Sequence, residues 1–464
     1  MKSISLLVPL VSPIISWNSY GNIGTASSLA TSSLSRGSAS ETWMADSATP
    51  FDERFQFYEF EAMELAGEGK LLQAAGAYRR AADLAMQSSI YQHRRSSILF
   101  QLADLYDAMG YVPEQIATLN LLISENDENG SGVLLYEEAD SYDTASSLRQ
   151  GVLKTAKERL ANVLVDGLGD REAALQLYRD IEESAPMATA LLRHGNLVAF
   201  EGDFNESVRC HVKALQLDNR IADIVLYLQL GAAVLGKPVT EHVSMYTEEL
   251  QTISASTREL PQFMKASLDY VLSCSSGSLA SSPWIHASTY DMLHLGMNAA
   301  RKTSGLVLEF GVFHGKTIRM IAQNWQETTV HGFDTFQGIP ETWNGEPAGS
   351  YSTYGQLPLA PDNVEYHVGL FGSTLAPFLL KHDGPVRFIN IDCDLYSSTV
   401  DIFDALHGRI IPGTVLVFDE YVMHPNWRND EFLAFQEAVK KYDWNYEYLG
   451  ISLVSKQAVV RILA

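Results

Sequence analysis

Two hydrophobic rhythms divide the chain. Over residues 51–240 apolar positions, mostly Ala and Leu, recur at i, i+3 and i+4, the period of amphipathic helices. After about residue 300 short β-rich runs take over. They are Leu306–Phe310, Val330–Phe333, Val364–Val368, Val386–Ile391, Gly413–Phe418, Tyr446–Leu449 and Ala458–Leu463. Helical stretches are predicted between them at Lys316–Trp325, Ser373–Lys381, Thr399–His407 and Asp430–Tyr442. Such alternation predicts a mainly parallel sheet covered on both faces. Ligands of such sheets sit at the carboxyl ends of the strands. Residues 241–285 read as a helical connector with a Ser-rich stretch at Ser273–Ser282, and the second domain is placed at 286–464.

The helical part repeats itself. Shifting Ala161, Leu164 and Ala173 by about 34 residues lands on Gly195, Val198 and Ser207, again small–large–small. Ala62, Leu65, Ala74 and Tyr78 show the same spacing. Small residues at this interval let two antiparallel helices approach closely. A loop glycine recurs as Gly69, Gly110, Gly169 and Gly202. These stretches (AMELAGEGKLLQAAGAYRRAADL at 62–84, LADLYDAMGYVPEQIATL at 102–119, RLANVLVDGLGDREAALQLYRDI at 159–181 and HGNLVAFEGDFNESVRCHVKAL at 194–215) resemble tetratricopeptide repeats. The resemblance implies an α-helical solenoid that presents a surface to a protein or peptide partner. The consensus Trp is absent, and residues 124–150 form an acidic insertion. A non-repeat helical bundle is the competing expectation.

Composition narrows the classes. With 46% hydrophobic residues in 464, the chain is globular rather than disordered or fibrous. Thirty-three basic against 56 acidic residues give a net charge of -23, which disfavours a nucleic-acid partner. Three scattered cysteines form no CxxC pair, so neither a zinc cluster nor a disulfide framework is expected. Residues 1–40 hold no Asp or Glu and many serines, which suits either a disordered tail or a targeting peptide, organellar or secretory. No apolar run reaches membrane-spanning length, so no transmembrane segment is expected and the location stays open between cytoplasm and organelle.

Candidate chemistry falls at the predicted strand ends. Glu309, Gly311 and Gly315 follow the first strand in a glycine turn that opens a helix. A dinucleotide fingerprint needs Gly where Glu309 stands; a carboxylate there suits a positively charged cofactor. Asp334 ends the second strand, placed to accept hydrogen bonds from ribose hydroxyls, or simply to cap a turn. Asp392 and Asp394 end the fourth strand, and Asp419 and Glu420 the fifth. If those strands are neighbours, Asp392, Asp419 and Glu420 would converge, and hard oxygen ligands suit Mg²⁺, Ca²⁺ or Mn²⁺. Asp394 would then face the same way as Asp392, as a general base. The plain alternative is a set of turn acids, with Asp394 capping the next helix. His314 and His424 are reserve candidates for the base. The segment 423–432 is a candidate acceptor wall, with Trp427 as its aromatic or as plain packing.

Together LEFGVFHGKTIRMIA, HGFDTFQGIPETW, HVGLFGSTL, FINIDCDLYSSTVDIF and PGTVLVFDEY resemble the class I S-adenosylmethionine-dependent methyltransferases, closest to the macrocin O-methyltransferase-like family. The resemblance covers residues 290–464. It implies a Rossmann-like seven-stranded α/β sandwich with an antiparallel last strand. It implies S-adenosylmethionine bound by Glu309, Gly311, Gly315 and Asp334. It also implies Mg²⁺ or a similar ion on Asp392, Asp419 and Glu420, with Asp394 as base. The family has Asp-Asp where this chain has Asp419-Glu420, and its N-terminal substrate lid has no equivalent here; the repeats and connector stand in its place. The reaction expected is O-methylation of a hydroxyl on a small molecule or glycan. Two other readings compete: a catalytically silent adaptor carrying repeats, and a nicotinamide-dependent oxidoreductase, which Glu309 argues against.

Overall fold

The computed structural model describes residues 51–87, 91, 94–127, 142–218, 220–235, 260–274, 283–301 and 304–464. The segment 1–50, most of the acidic insertion and much of the connector lie outside the described residues.

Nine helices come first among the described residues: α1 (Phe51–Gly67), α2 (Leu71–Met86), α3 (Arg95–Met109), α4 (Val112–Asn126), α5 (Tyr142–Val163), α6 (Arg171–Ser184), α7 (Ala188–Phe200), α8 (Phe204–Leu217) and α9 (Ala222–Leu235). Each packs on the next, so the region is an array of hairpins. Four of the hairpin turns carry Gly69, Gly110, Gly169 and Gly202, all in the left-handed region. Buried alanines at these interfaces (Ala62, Ala74, Ala103, Ala161 and Ala174) allow the close approach. α5 runs into a π-helical turn, Leu164–Leu168, that carries the buried Asp166.

Helices α10 (Gln262–Ser273) and α11 (Thr289–Ala300) lead into the sheet. Its strands are β1 (Leu306–Phe310), β2 (Val330–Asp334), β3 (Val364–Val368), β4 (Val386–Ile391), β5 (Val415–Phe418), β6 (Asn445–Ile451) and β7 (Ala458–Leu463). The order is β3-β2-β1-β4-β5-β7-β6. β7 alone runs antiparallel to its neighbours β5 and β6. Helices α12 (Lys316–Asn324), α13 (Phe371–Lys381), α14 (Tyr396–Leu406) and α15 (Glu431–Tyr442) fall between the strands. The central strands are largely buried and mostly apolar because both faces are covered, with Glu309, His331 and Asn390 as buried polar exceptions. This is a Rossmann-like α/β fold behind an all-helical region.

The two parts share packing. Leu226, Tyr227 and Leu230 of α9 belong to one buried cluster with Leu308, Phe310 and Phe418 of the sheet. The edge of the array that carries the turns also meets the sheet domain. A Cβ on Gly69 would strike Tyr354, one on Gly110 would strike Lys316, and one on Gly169 would strike Tyr290. Tyr354 donates to the Gly67 carbonyl at 3.1 Å, and Arg171 pairs with Asp291 at the head of α11.

Candidate active site

At the carboxyl ends of β1, β2, β4 and β5 lies a cavity of about 890 Å³, closed on the far side by the helical array. Two parallel neighbours, β4 and β5, place their ends side by side, with Ile391 in register with Phe418. Asp392, Asp394 and Asp419 therefore line the same cavity, together with Gly311 and Asp334.

The glycine turn is built around contact with the acidic end of β4. Gly311 has φ +86°, and a Cβ there would overlap the carbonyl oxygen of Asp392. Asp334 clamps the turn from the other side. One of its oxygens accepts from the Val312 and Phe313 amides at 2.7 and 2.8 Å, and the other from Phe336 N at 2.7 Å. A carboxylate has about four acceptor positions, so Asp334 keeps capacity for a ligand hydroxyl.

Two of the expected cofactor residues act from beneath the surface. Glu309 is fully buried and does not line the cavity. Strand alternation turns it into the layer under α12, opposite its register partner Asn390, which donates to it at 2.9 Å. Burial raises its carboxyl to about 8. Gly315 is likewise off the cavity; in the left-handed region, it is the N-cap of α12.

The acids divide. Burial, then Asp419 and Asp394, push Asp392 well above the usual carboxylate range; burial also raises Asp419, against the Gln457 amide that donates to it at 2.7 Å. Asp394 is raised to about 7 by burial and by Asp419 and Asp430. Its backbone is left-handed (φ +62°), so it reaches the cavity by a bend rather than by alternation along an extended chain. It does not cap α14, whose N-cap is Leu395 with no side-chain cap bond.

Glu420 departs from the expected metal trio. Its side chain is 1% exposed, sits 3.6 Å from the Lys456 ammonium, and lies off the cavity. Consecutive side chains at a strand end point to opposite sides, so Asp419 faces the cavity and Glu420 the core. Among the described residues, Asp392, Asp419 and Glu420 do not form a group with ligand atoms all within 4.8 Å of one another.

His424 is held as a structural group. Its Nε2 faces the Glu420 carbonyl at 2.9 Å and must donate to it, while Nδ1 meets the Asn344 amide at 3.0 Å and accepts. Burial lowers its pKa to about 4, in keeping with that neutral ring. His314 lines the cavity, also lowered by burial to about 4. Trp427 is packing: it is buried against Tyr270 and Phe432, while Met423, His424 and Pro425 form the wall.

Several lining residues carried no motif. Lys456 comes from the β6–β7 connection, which the reversed β7 returns to the acids. The array contributes Arg193 and Asn196 from α7, Asp166 from the π-turn and Asp223 from α9. Arg193 lies 3.6 Å from Asp166. For Arg193 and Asp223 the sequence signal is a charge on an otherwise apolar helix.

Residues 308–421 match the family model described as a methyltransferase domain. No curated protein matches the chain. Among solved structures, the chain is similar to CalS11, a calicheamicin methyltransferase, at 17% identity over 47% of this chain and 92% of that one, with a TM-score of 0.30. It is similar to the O-methyltransferase NovP at 20% identity, over 40% and 84% of the two chains, TM-score 0.30. An O-methyltransferase from Bacillus cereus, solved in complex with SAH, aligns at 14% identity over 48% and 99%, TM-score 0.28. The matched segment runs from β1 through the end of β5 and contains Gly311, Asp334, Asp392, Asp394 and Asp419. The segment that matches the methyltransferase-domain model thus lies on the Rossmann-like sheet.

Proposed function

We propose that the chain is an S-adenosylmethionine-dependent O-methyltransferase whose acceptor lies between the sheet and the helical array. One observation carries this reading: Asp392, Asp394 and Asp419 gather beside the Gly311 turn in a single cavity of a methyltransferase domain. Gly311 keeps the turn free of a side chain, and Asp334 presents a carboxylate edge for the ribose. S-adenosylmethionine supplies the electrophilic methyl group. Asp394 takes the proton from the acceptor hydroxyl on a carboxylate oxygen, and the cavity walls hold that hydroxyl in line with the methyl.

A hard divalent cation fits in part. Asp392 and Asp419 are half-buried, adjacent and mutually repelling, the condition that a cation relieves. They would hold Mg²⁺ and Asp394 would stand beside it, whereas Glu420 serves as the counter-charge of Lys456. Bound there, the ion would stabilise negative charge on the acceptor oxygen.

The array takes the place of a substrate lid. Arg193, Asn196 and Asp223 face the cavity from helices of the hairpin region, so acceptor recognition belongs partly to that region. The hairpins and their left-handed turn glycines support a tetratricopeptide-like reading, and a protein or peptide partner would use the faces that the sheet domain leaves free. Among the described residues no helix is long and apolar enough to cross a membrane.

The test is transfer of labelled methyl from S-adenosylmethionine into host extract, with and without Mg²⁺, for wild type and Asp392→Ala. A labelled product that needs both the ion and Asp392 supports the reading. Absence of S-adenosylmethionine binding to the purified chain favours the silent adaptor. Turnover indifferent to chelator and to Asp392→Ala removes the metal.

A further inference from the structure

A second group of titratable side chains sits at the β3 edge of the sheet, away from the cavity. β2 and β3 run parallel with His331 opposite Glu365. Alternation puts His331, Glu365 and His367 on one face, the face covered by α13, which ends at His382. His331 Nδ1 lies 3.2 Å from His367 Nε2 and 3.6 Å from Glu365 Oε2. One ligand atom from each of His331, Glu365 and His382 lies within 4.8 Å of the other two.

These separations suit an ion. With metal–donor bonds of about 2.0–2.1 Å in a tetrahedral site, neighbouring donors stand roughly 3.4 Å apart. The 3.6 Å between His331 Nδ1 and Glu365 Oε2 lies close to that value. Imidazole donors with one carboxylate select Zn²⁺ and its late first-row neighbours over Mg²⁺. The groups stand on two strands and a helix end, so the geometry is held before binding. Glu365 is 53% exposed, which leaves a way in from solvent. Burial, with His367 and His382 beside it, lowers His331 to about 4, so its ring offers a lone pair at neutral pH. Lys381, facing His367, works against a cation and tempers the affinity. Among the described residues the other His-containing trio, Glu182, His194 and Cys210, is a poorer host. Its carboxylate is already taken by Arg209 at 2.7 Å and Lys213 at 2.9 Å.

We infer that His331, Glu365 and His382, with His367 beside His331, form a Zn²⁺-class site that fastens the edge strand β3 to the end of α13. The site goes beyond methyl transfer, and its test does not read activity. Full-length protein stripped with chelator is titrated with Zn²⁺ by calorimetry and with Co²⁺ by visible absorption. The variants are His382→Ala and His367→Ala, both at the partly exposed rim, and Cys210→Ser as control. The expected result is Co²⁺ d–d bands in wild type and in Cys210→Ser. Each rim variant should bind at least about tenfold more weakly and lose the Zn²⁺-dependent rise in Tm. Circular dichroism confirms that the rim variants are folded. Wild type without the Co²⁺ bands, or rim variants that bind Zn²⁺ as wild type does, overturns the site and leaves His331 and His367 as a hydrogen-bonded pair.

Discussion

Gly311 and Asp392 touch: the α-carbon of the glycine turn packs on the carbonyl oxygen at the head of the acidic strand end. Glycine turn and acid cluster are therefore one mechanical unit. Gly311→Ala forces the two apart and also places a side chain at φ +86°. The expected outcome is a folded helical region with S-adenosylmethionine binding weakened at least about 100-fold, roughly 3 kcal/mol. Calorimetric titration measures it, and wild-type affinity in the variant would show that the contact is dispensable.

Asp394→Asn keeps the shape of the cavity and removes the base. Turnover should fall by about 10²–10⁴ while S-adenosylmethionine binding stays within about twofold. Loss of cofactor binding instead would mean that Asp394 holds the turn rather than the proton.

Glu309 gives a stability signature. Its carboxyl titrates near 4.5 when unfolded and near 8 when folded, because burial disfavours the charge. Between those values the folded chain binds one more proton than the unfolded chain, so stability from this group falls as pH rises from about 4.5 to about 8. Glu309→Gln lacks that slope. Urea denaturation should find the variant level with wild type near pH 5 and more stable, by roughly a few kcal/mol, at pH 8. Parallel pH dependences would remove the effect.

The turn glycines supply a matched pair. Gly202 has open space around it, so Gly202→Ala costs the left-handed backbone alone, about 1–2 kcal/mol. Gly110→Ala meets Lys316 as well and should cost more and speed amide exchange in α3 and α4. Equal losses would show that the turn does not bear on the sheet domain.

Arg193→Met removes the guanidinium 3.6 Å from the buried Asp166. The expected loss is about 1–3 kcal/mol, and Asp166→Asn in the same chain should recover part of it. Chemical denaturation of the single and double variants decides. An unchanged Arg193→Met places the pair's role wholly in the acceptor site.

Local rhythm carried most of the fold. Leu306–Phe310, Val364–Val368, Val386–Ile391 and Ala458–Leu463 are strands with the bounds their runs predict; three are largely buried runs closed by turn residues, and Val364–Val368 is a half-exposed edge strand. The four turn glycines were readable because a left-handed turn needs them at that spacing. What was not legible depends on which way a side chain leaves the strand end. Glu309 and Glu420 carry the expected chemistry in sequence, yet alternation sends both into the interior. Nor does any local pattern announce Lys456 or Arg193, since each reaches the cavity through packing between distant segments.

The reversed strand sets an order on assembly. β7 follows β6 in the chain but lies between β5 and β6. As the chain leaves the ribosome, β5 stands as a bare parallel edge while α15 and β6 are made, and β6 has no ladder to join. Only when β7 arrives do both edges close, and the same event carries Lys456 to the acids. A nascent chain paused before residue 458 thus exposes a strand edge to any neighbour, and chaperone demand should peak in that interval.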